Sequence, residues 1–352
     1  MTHKVTLNPS GHSFEVAEGQ NILQAGLDAG FMMPYSCRTG VCRTCRGTLL
    51  EGKVDYGAVH PTYLPDGDKA KGYALLCQAK PLSEVVVEVH ELAGMAGIRP
   101  RKLPCRVERI ERPAPDVAVV SLRLPSNEKF RFSAGQYVDF LLKDGKRRSY
   151  SIANPPRPEG VNALELHVRH TPGGAFTDHV FGALKLRDLL RFEGPLGTFC
   201  LREDSDKPIV MVASGTGFAP IKAMCENALE RGIKRPITLY WGCRAKRDLY
   251  MLEVPQRWSG LRFVPVLSDP TPECRWTGRT GFVHRAVMKD FPDMSGVQVY
   301  ACGAPVMVDA ARRDFVAQCS LPAEEFFADS FLTEADKAPA SRSGTGSAAA
   351  GS

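Results

Sequence analysis

Alternating hydrophobic and polar residues predict strands in the first part of the chain. Residues 4–7 and 12–16 alternate on either side of a Pro-Ser-Gly turn, which indicates a β-hairpin. Apolar residues between Asn21 and Ala29 recur at helical spacing, and Gly30 follows as a stop signal. Further strands are predicted over residues 47–51 and 84–89. Residues 1–92 are therefore expected to form a small domain that mixes helix and strand.

The next stretch, residues 102–202, has the pattern of an all-β domain. Its strand-like segments are rich in β-branched and aromatic residues and are separated by turn residues. These segments cover residues 104–110, 117–124, 136–142 and 164–169. Several short strands of this kind predict an antiparallel barrel.

From residue 203 to residue 335 the pattern changes to alternating strands and helices. Apolar strands are predicted over residues 208–213, 237–241 and 297–301, and a helix over residues 221–230. Each of these strands ends in a glycine-containing turn. The alternation predicts a parallel α/β sheet whose site lies at the carboxyl edge of its strands.

Two segments fall outside these domains. Residues 93–101 contain two glycines and a proline without a sustained apolar period, so we interpret them as a linker. Residues 336–352 are rich in Ala, Gly and Ser, and we expect them to be disordered. The fold class predicted is thus a multidomain chain, α+β followed by β-barrel and α/β.

Composition narrows the class of protein. The chain has 352 residues and a net charge of +6, but it lacks a basic stripe or nucleic-acid motif, so we predict no nucleic-acid partner. It has no run of 18 apolar residues and no signal-like N-terminus, which predicts neither a membrane span nor export. We expect a cytoplasmic, monomeric protein whose scattered cysteines are reduced.

The strongest chemical signal is a group of four cysteines. Cys37, Cys42 and Cys45 have the spacing C-x4-C-x2-C, and Cys77 follows after a long gap. This is the spacing of plant-type [2Fe–2S] sites, with three thiolates from one loop and a fourth from a neighbouring segment. A zinc site or a disulfide is the alternative, but zinc sites usually show two paired C-x2-C halves. Gly40 lies inside the loop, where a positive φ is favoured by tight wrapping.

Two segments of the predicted barrel carry further candidates. Arg148, Tyr150 and Ser151 form an R-x-Y-S sequence, which by itself is more typical of a solvated strand edge. Residues 169–177 run from a strand through Gly173-Gly174 into a helix start, where backbone N–H groups can hold a phosphate. An ordinary strand–turn–helix remains the alternative for this second segment.

The predicted parallel domain contains two glycine motifs at strand ends. Gly215, Thr216 and Gly217 lie between a strand and a helix, as in dinucleotide-binding folds, but the third glycine of that fingerprint is missing. Cys302-Gly303 follows a later strand, and a buried strand-end thiol is the alternative interpretation of Cys302.

In this order the motifs resemble a plant-type ferredoxin fused to the ferredoxin–NADP reductase superfamily. The resemblance covers nearly the whole chain and implies a β-grasp ferredoxin domain, an FAD-binding barrel and a Rossmann-like NAD(P)-binding domain. It is closest to the reductase components of bacterial multicomponent oxygenases and to CDP-6-deoxy-3,4-glucoseen reductases. Relatives usually carry two small residues where this chain has Arg43-Thr44.

The resemblance implies a role for each candidate residue. The cysteines would bind the cluster, Arg148 the FAD pyrophosphate, and Tyr150 and Ser151 the flavin ring, with Ser151 facing flavin N5. The residues that would line the flavin or close its phosphate site are His167, Val168, Arg169, Gly173, Gly174 and Thr177. Those that would approach the pyridine nucleotide are Gly215, Thr216, Gly217, Cys302 and Gly303, and Phe331 would cover the flavin. Ser151 and Cys302 are the candidate catalytic residues.

Electron counting then defines the expected activity. A nicotinamide gives up two electrons as a hydride, a [2Fe–2S] cluster accepts one electron at a time, and a flavin can stand between them. We expect a reductase that passes electrons from NADH to an oxygenase component. A deoxysugar dehydratase is the alternative acceptor, and an iron–sulfur redox sensor is a third hypothesis.

Two groups of cations add predictions about partners. Arg38, Arg43 and Arg46 flank the cluster ligands and could dock an acidic patch on the electron acceptor, or simply be solvated. Residues 244–247 contain three cations near the predicted adenosine site, where they could favour NADPH; a solvated turn is the alternative, and NADH is the predicted donor.

Overall fold

The computed structural model describes residues 2–92 and 98–332, which form three large sheets and one two-stranded sheet. The first domain has a core of its own, whereas one hydrophobic cluster joins residues of the second and third domains. The first domain contains β1 (Thr2–Asn8), β2 (Ser13–Ala17), α1 (Ile22–Asp28), β3 (Arg46–Glu51), β4 (Val54–Asp55), α2 (Asp66–Ala70), β5 (Tyr73–Leu75), β6 (Lys80–Pro81) and β7 (Val85–Glu88). Its five-stranded mixed sheet has the order β2-β1-β7-β3-β5. The predicted hairpin is β1–β2, and the predicted helix is α1, whose N-cap Asn21 accepts from the Gln24 N–H at 2.8 Å.

The second domain is antiparallel. It contains β8 (Arg101–Ala114), β9 (Val117–Arg123), β10 (Tyr137–Leu141), β11 (Arg147–Ser151), β12 (Ala163–Arg169), α3 (Ala175–Gly182) and β13 (Leu189–Leu196). The strand order is β11-β10-β13-β8-β9-β12, and an Ile152–Leu166 bridge joins the two outer strands, so the sheet closes into a barrel. Arg101, placed in the predicted linker, is the first residue of β8 and lies opposite Gly194.

The third domain is parallel. It contains β14 (Ile209–Ser214), α4 (Phe218–Glu230), β15 (Ile237–Cys243), α5 (Glu253–Gln256), β16 (Arg262–Leu267), β17 (Arg279–Thr280), α6 (Val283–Asp290), β18 (Gln298–Gly303), α7 (Pro305–Gln318) and β19 (Phe326–Ser330). The order β17-β16-β15-β14-β18-β19 places β14, with its glycine turn, next to β18. These three sheets confirm the predicted fold class.

Helix α4 begins at Phe218, three residues before the predicted start. Pro220 falls in its first turn, where a missing N–H costs nothing because that N–H has no acceptor within the helix. The remaining predictions on segments 93–97 and 336–352, a linker and a disordered tail, lie outside the described residues.

Candidate redox site

The four candidate cluster ligands meet at one end of the first domain. Cys37, Cys42 and Cys45 lie on the loop between α1 and β3, and Cys77 follows β5. The Cys42 thiol donates to Cys37 and lowers the Cys37 pKa to about 5; Cys45 donates to Cys77 and lowers the Cys77 pKa in the same way. All eleven cysteines are free thiols. Four converging thiols without a disulfide fit the donor set that a [2Fe–2S] cluster requires.

The backbone of this loop is tightly wound. Gly40 has a φ of 82°, and a Cβ there would lie 2.9 Å from the side chain of Gln78. Arg38 and Arg43 also have positive φ, at 57° and 62°. The Thr39 N–H donates to the Cys37 sulfur at 3.4 Å, so a backbone donor faces this ligand.

Segment 35–38 fixes this loop against both other domains. The Tyr35 N–H donates to Thr198 Oγ1 at 2.8 Å, and Tyr137 donates its hydroxyl to the Ser36 carbonyl at 2.8 Å. Ser36 donates to the buried carboxylate of Asp329 in β19 at 2.5 Å. The cluster-binding loop is therefore held at a junction of three domains.

Arg38 belongs to this junction and not to the outer surface. Its guanidinium pairs with Asp139 of the barrel at 2.7 Å, and the Asp139 side chain is only 3% exposed. The expectation that Arg38 docks a partner is therefore wrong. The charge pattern alone did not reveal this pairing, because Asp139 belongs to another domain.

A cavity of about 1610 Å³ opens at the same junction. Its wall includes a residue or motif from each domain: Cys37 from the first, Arg148 to Ser151 from the barrel, and Ser214 to Thr216 from the parallel domain. Phe331 also lines it, held by a hydrogen bond from its N–H to the Gly303 carbonyl at 2.8 Å. The cavity thus joins the predicted cluster loop to the predicted flavin and nucleotide motifs.

The barrel wall of the cavity is built on β11. Tyr150 packs against Phe140 and Phe176, with ring centroids 6.0 Å and 5.0 Å away, and burial raises the Tyr150 pKa. Ser151, opposite Tyr137 in β10, is buried at the end of the strand. Strand pairing thus presents the R-x-Y-S residues to the cavity in place of a solvated edge.

The glycine turn before α3 also lines the cavity. The Thr177 hydroxyl donates to the Thr171 carbonyl at 2.8 Å and so closes the turn. A Cβ on Gly174 would lie 2.6 Å from Thr177 Oγ1, and Gly173 has a φ of 81°. The turn therefore requires these glycines, and it leaves backbone N–H groups at the start of α3 facing the cavity.

Arg169 gives the clearest sign of an anionic ligand. Its Nε and one terminal nitrogen are buried without a hydrogen-bond partner in the described part of the chain, although Nε lies 3.2 Å from an Asp116 oxygen in a poor geometry. The guanidinium packs against Gly215, where a Cβ would lie 3.1 Å from Nη1. A partly exposed guanidinium with two nitrogens that lack a hydrogen-bond partner among the described residues, beside a dinucleotide turn, fits a phosphate-bearing cofactor.

His167 belongs to a buried polar network, a set of hydrogen-bonded and ion-paired side chains that the sequence analysis did not predict. The Tyr250 hydroxyl donates to Nδ1 at 2.7 Å, and Nε2 donates to Glu165 at 3.1 Å, which defines a neutral tautomer. Lys222 of α4 contacts Glu165 at 3.2 Å and Glu226 at 3.0 Å. The i,i+4 pair Lys222–Glu226 was the available signal.

This buried polar network connects the barrel to the parallel domain and shifts the pKa values of its members. Burial lowers the pKa of His167. Burial opposes ionisation of Glu165, but the His167 hydrogen bond and the Lys222 charge lower the Glu165 pKa to about 2. An ionised Glu165 therefore orients a neutral His167 at the cavity wall.

Four of the predicted site residues lie behind the cavity wall. Val168 packs in the barrel core, and Cys302 is fully buried, which raises its pKa. A Cβ on Gly217 would lie 2.2 Å from the Cys302 carbonyl oxygen, and one on Gly303 would lie 2.2 Å from Ser214 Oγ. The glycines therefore allow β14 and β18 to approach closely, and the Cys302 thiol is part of that packed layer.

Comparisons with known proteins agree with these three sites. A 2Fe-2S iron-sulfur cluster binding domain matches residues 5–82, an oxidoreductase FAD-binding domain matches residues 104–200, and an oxidoreductase NAD-binding domain matches residues 211–313. The chain belongs to the family of iron–sulfur flavoprotein reductases that combine these domains. Its cofactors are a [2Fe–2S] cluster, FAD and NAD(P)H, and it is an oxidoreductase.

The relatives include a reductase of a deoxysugar dehydrase and reductases of oxygenases. The CDP-6-deoxy-L-threo-D-glycero-4-hexulose-3-dehydrase reductase of Yersinia pseudotuberculosis is 41% identical, with 94% of this chain and 99% of that protein covered. The reductase component of phenol 2-monooxygenase from a Pseudomonas strain is 34% identical, with 96% and 97% covered. The solved cytochrome P450 reductase of Amycolatopsis superposes with a TM-score of 0.74 at 37% identity, covering 94% and 99%. Within the described residues, no helix is long and apolar enough to cross a membrane.

Proposed function

We propose that this chain carries electrons from NADH through FAD and a [2Fe–2S] cluster to a separate electron-accepting protein. One observation supports this order above others: the cavity wall includes the cluster loop at Cys37, the flavin motif at Tyr150 and Ser151, and the nucleotide turn at Gly215. When bound, the flavin supplies the change from two-electron to one-electron chemistry. The chain's own residues supply positions for all three cofactors.

We assign the residues as follows. Cys37, Cys42, Cys45 and Cys77 bind the cluster. Arg148 and the Gly173-Gly174 turn bind the FAD phosphates, and Tyr150, Ser151 and His167 line the flavin. Gly215 and Thr216 bind the pyridine dinucleotide beside Arg169, and Phe331 covers the flavin. Gly217, Val168, Cys302 and Gly303 shape the site from behind its wall.

Other parts of the proposal concern the state of the protein. We keep a monomer as the expected working unit, which sedimentation of the full-length chain would test. Eleven cysteines without a disulfide support a reducing, cytoplasmic location. The mild charge of +6 supports a protein acceptor without a nucleic-acid partner.

Cofactor content tests the first part of the proposal. Anaerobically purified full-length chain should contain one FAD and one [2Fe–2S] cluster, measured by flavin absorbance, iron and acid-labile sulfide. NADH should then reduce both ferricyanide and cytochrome c. Zinc in place of iron, or no flavin after reconstitution, would disprove the assignment.

Two acceptor classes have specific support. The oxygenase class is supported by the phenol 2-monooxygenase reductase component and by the likeness to the cytochrome P450 reductase. The sequence predicted the oxygenase class first. The 41% identity to the dehydrase reductase, against 34% for the phenol system and 37% for the cytochrome P450 reductase, favours a CDP-deoxysugar dehydrase, which is the acceptor we now place first. The two acceptor classes are distinguished by measuring, side by side, the anaerobic reduction of a purified dehydrase and of a purified oxygenase component. Faster reduction of the oxygenase component would show that it is the preferred acceptor.

A further inference from the structure

The cluster loop has a second side, which lines a small crevice next to the cofactor cavity. Cys37 lines the cavity, whereas Cys42 lines the crevice, and the two spaces share part of their walls. One wall of the crevice is formed by Cys42 and Arg43 of the first domain, and the other by Val308, Asp309 and Arg312 of α7. Cys42 therefore lies where the cluster loop meets α7.

Three arginines from two domains surround this second side. Arg46 is exposed, and its guanidinium lies 4.4 Å from the ring centroid of Tyr73. Arg43 is half-buried and donates to the Thr62 carbonyl. Arg312 is half-buried and lies over the Phe326 ring at 4.5 Å. All three guanidinium groups are thus oriented by uncharged partners.

Their positive charges reinforce one another. Burial, followed by the charges of Arg43 and Arg46, lowers the Arg312 pKa to about 10, while Asp309 opposes that shift only in part. Within residues 2–92 and 98–332, no carboxylate oxygen lies within 4.0 Å of any of the three. Like charges that form no ion pair with a carboxylate in the described ranges favour the approach of an anionic group, although Asp309 and Cys42 partly offset them.

Arg38 provides the contrast within the same loop. Its charge is neutralised by Asp139 at the domain junction, so it adds little potential outside. The outward positive potential near Cys42 therefore comes from Arg43, Arg46 and Arg312. The last of these is contributed by the nucleotide-binding domain, far along the chain from the cluster motif.

We propose that Arg43, Arg46 and Arg312 form a docking surface for a carboxylate-rich patch on the electron-accepting protein, beside the cluster ligand Cys42. The inference rests on the proposed function, because it requires a separate acceptor protein. Charge complementarity of this kind acts mainly on the association rate and weakens as ionic strength rises. Because Arg312 lies on α7, a correct docking surface requires the first and third domains to stay together.

The test uses two forms of one acceptor and the full-length chain with its cofactors. Native cytochrome c is cationic, and succinylated cytochrome c carries carboxylates in place of its lysine charges. Wild type should reduce the succinylated form with a second-order rate constant that falls as salt rises to physiological ionic strength. Arg46→Gln and Arg312→Gln should each lower that rate constant about 3- to 10-fold at low salt and flatten its salt dependence.

Matched controls separate docking from other effects. Lys53→Gln removes the same charge from the first domain, but Lys53 lies beyond the far end of β3 from Arg46, so it should leave both rates unchanged. A variant that only altered the cluster potential would slow both forms of cytochrome c, whereas loss of docking should slow the succinylated form alone. NADH–ferricyanide activity should stay constant in every variant.

Several outcomes would overturn the proposal. One is that wild type reduces succinylated cytochrome c at a rate that does not depend on salt. Another is that the arginine variants reduce the native and the succinylated form more slowly by the same factor. If wild type is salt-insensitive but Glu334→Gln/Asp336→Asn becomes salt-sensitive, the chain's own acidic residues occupy the surface and the acceptor proposal is wrong. Failure to reduce either cytochrome form with ferricyanide activity intact would instead contradict the proposed function.

Discussion

The cluster loop and the cofactor cavity build their sites in different ways. Three of four cluster ligands lie within nine residues, Cys37 to Cys45, and tight backbone turns at Gly40 and Arg43 hold them in place. The cavity instead takes its wall from all three domains. A locally built site should lose its function when one ligand changes, whereas a distributed site should lose it by degrees.

Removal of a single cluster ligand should have the largest effect. Cys77→Ser should abolish the cluster and lower NADH-dependent cytochrome c reduction at least ~10-fold, because the one-electron carrier is lost. Ferricyanide reduction should persist, since the flavin motifs lie in the barrel. Absorbance and iron analysis monitor the cluster, and Cys274→Ser, which alters a thiol outside the four, is the control. Equal loss of both activities in a folded variant would contradict the electron order.

A single substitution in the buried polar network between the barrel and the parallel domain should mainly affect stability. Lys222→Met leaves Glu165 and Glu226 without their shared cation, which should cost about 3–5 kcal/mol. The expected result is a clear fall in Tm by calorimetry. Lys69→Met removes a surface ion pair with Asp66 and should cost less than ~1 kcal/mol. If the two variants melt at the same temperature, the buried polar network does not stabilise the fold.

A change in the cavity wall should weaken ligand binding without abolishing the fold. Arg169→Gln removes a partly exposed guanidinium that packs against Gly215. We expect KM for NADH to rise ~10- to 100-fold, because a charge-assisted hydrogen bond contributes about 1.5–3 kcal/mol. Arg169→Lys should restore part of the loss. Unchanged KM and unchanged FAD content would show that Arg169 binds neither dinucleotide.

The pH dependence of stability should report the neutral His167. Its folded pKa lies below the ordinary value of 6.5, so the unfolded chain binds the proton better and stability falls as pH drops below about 6.5. Glu165 does not contribute in this window, because its pKa is about 2. His167→Gln should reduce the fall in Tm between pH 7 and pH 5. His284, which burial shifts in the same direction, adds to the fall, whereas Asp329, whose pKa burial raises to about 6, opposes it. An identical pH profile in the variant would refute this account.

Donor preference is the smallest expected effect. Arg244 and Arg247 have side chains that are each 80% exposed, with weak contacts to Asp269 at 3.4 Å and Asp248 at 3.9 Å. This supports a solvated turn, so NADH should have the higher kcat/KM. Steady-state kinetics with both donors measures it, and a strong preference for NADPH would reverse the prediction.

Much of the fold could be predicted because its signals are local. Period-two alternation identified β1 and β2, a run rich in β-branched residues identified β9, and glycine turns after apolar strands identified the parallel sheet. The ends of elements were less predictable: β8 extends to Arg101 and Ala114 because pairing with β13 and β9 adds residues that have no apolar period of their own.

The cysteine spacing by itself predicted the [2Fe–2S] cluster, because cluster ligands depend on short-range backbone geometry, and the resemblance of the other motifs to a known superfamily implied FAD, NAD(P)H and the order of the three domains. Only the tertiary structure decided what happens where domains meet. There Arg38 is neutralised by Asp139, Cys302 is buried behind Gly217, and Arg312 joins Arg43 at the Cys42 crevice. The physical reason is that burial and charge pairing depend on residues that are distant along the chain, and no local pattern records those neighbours.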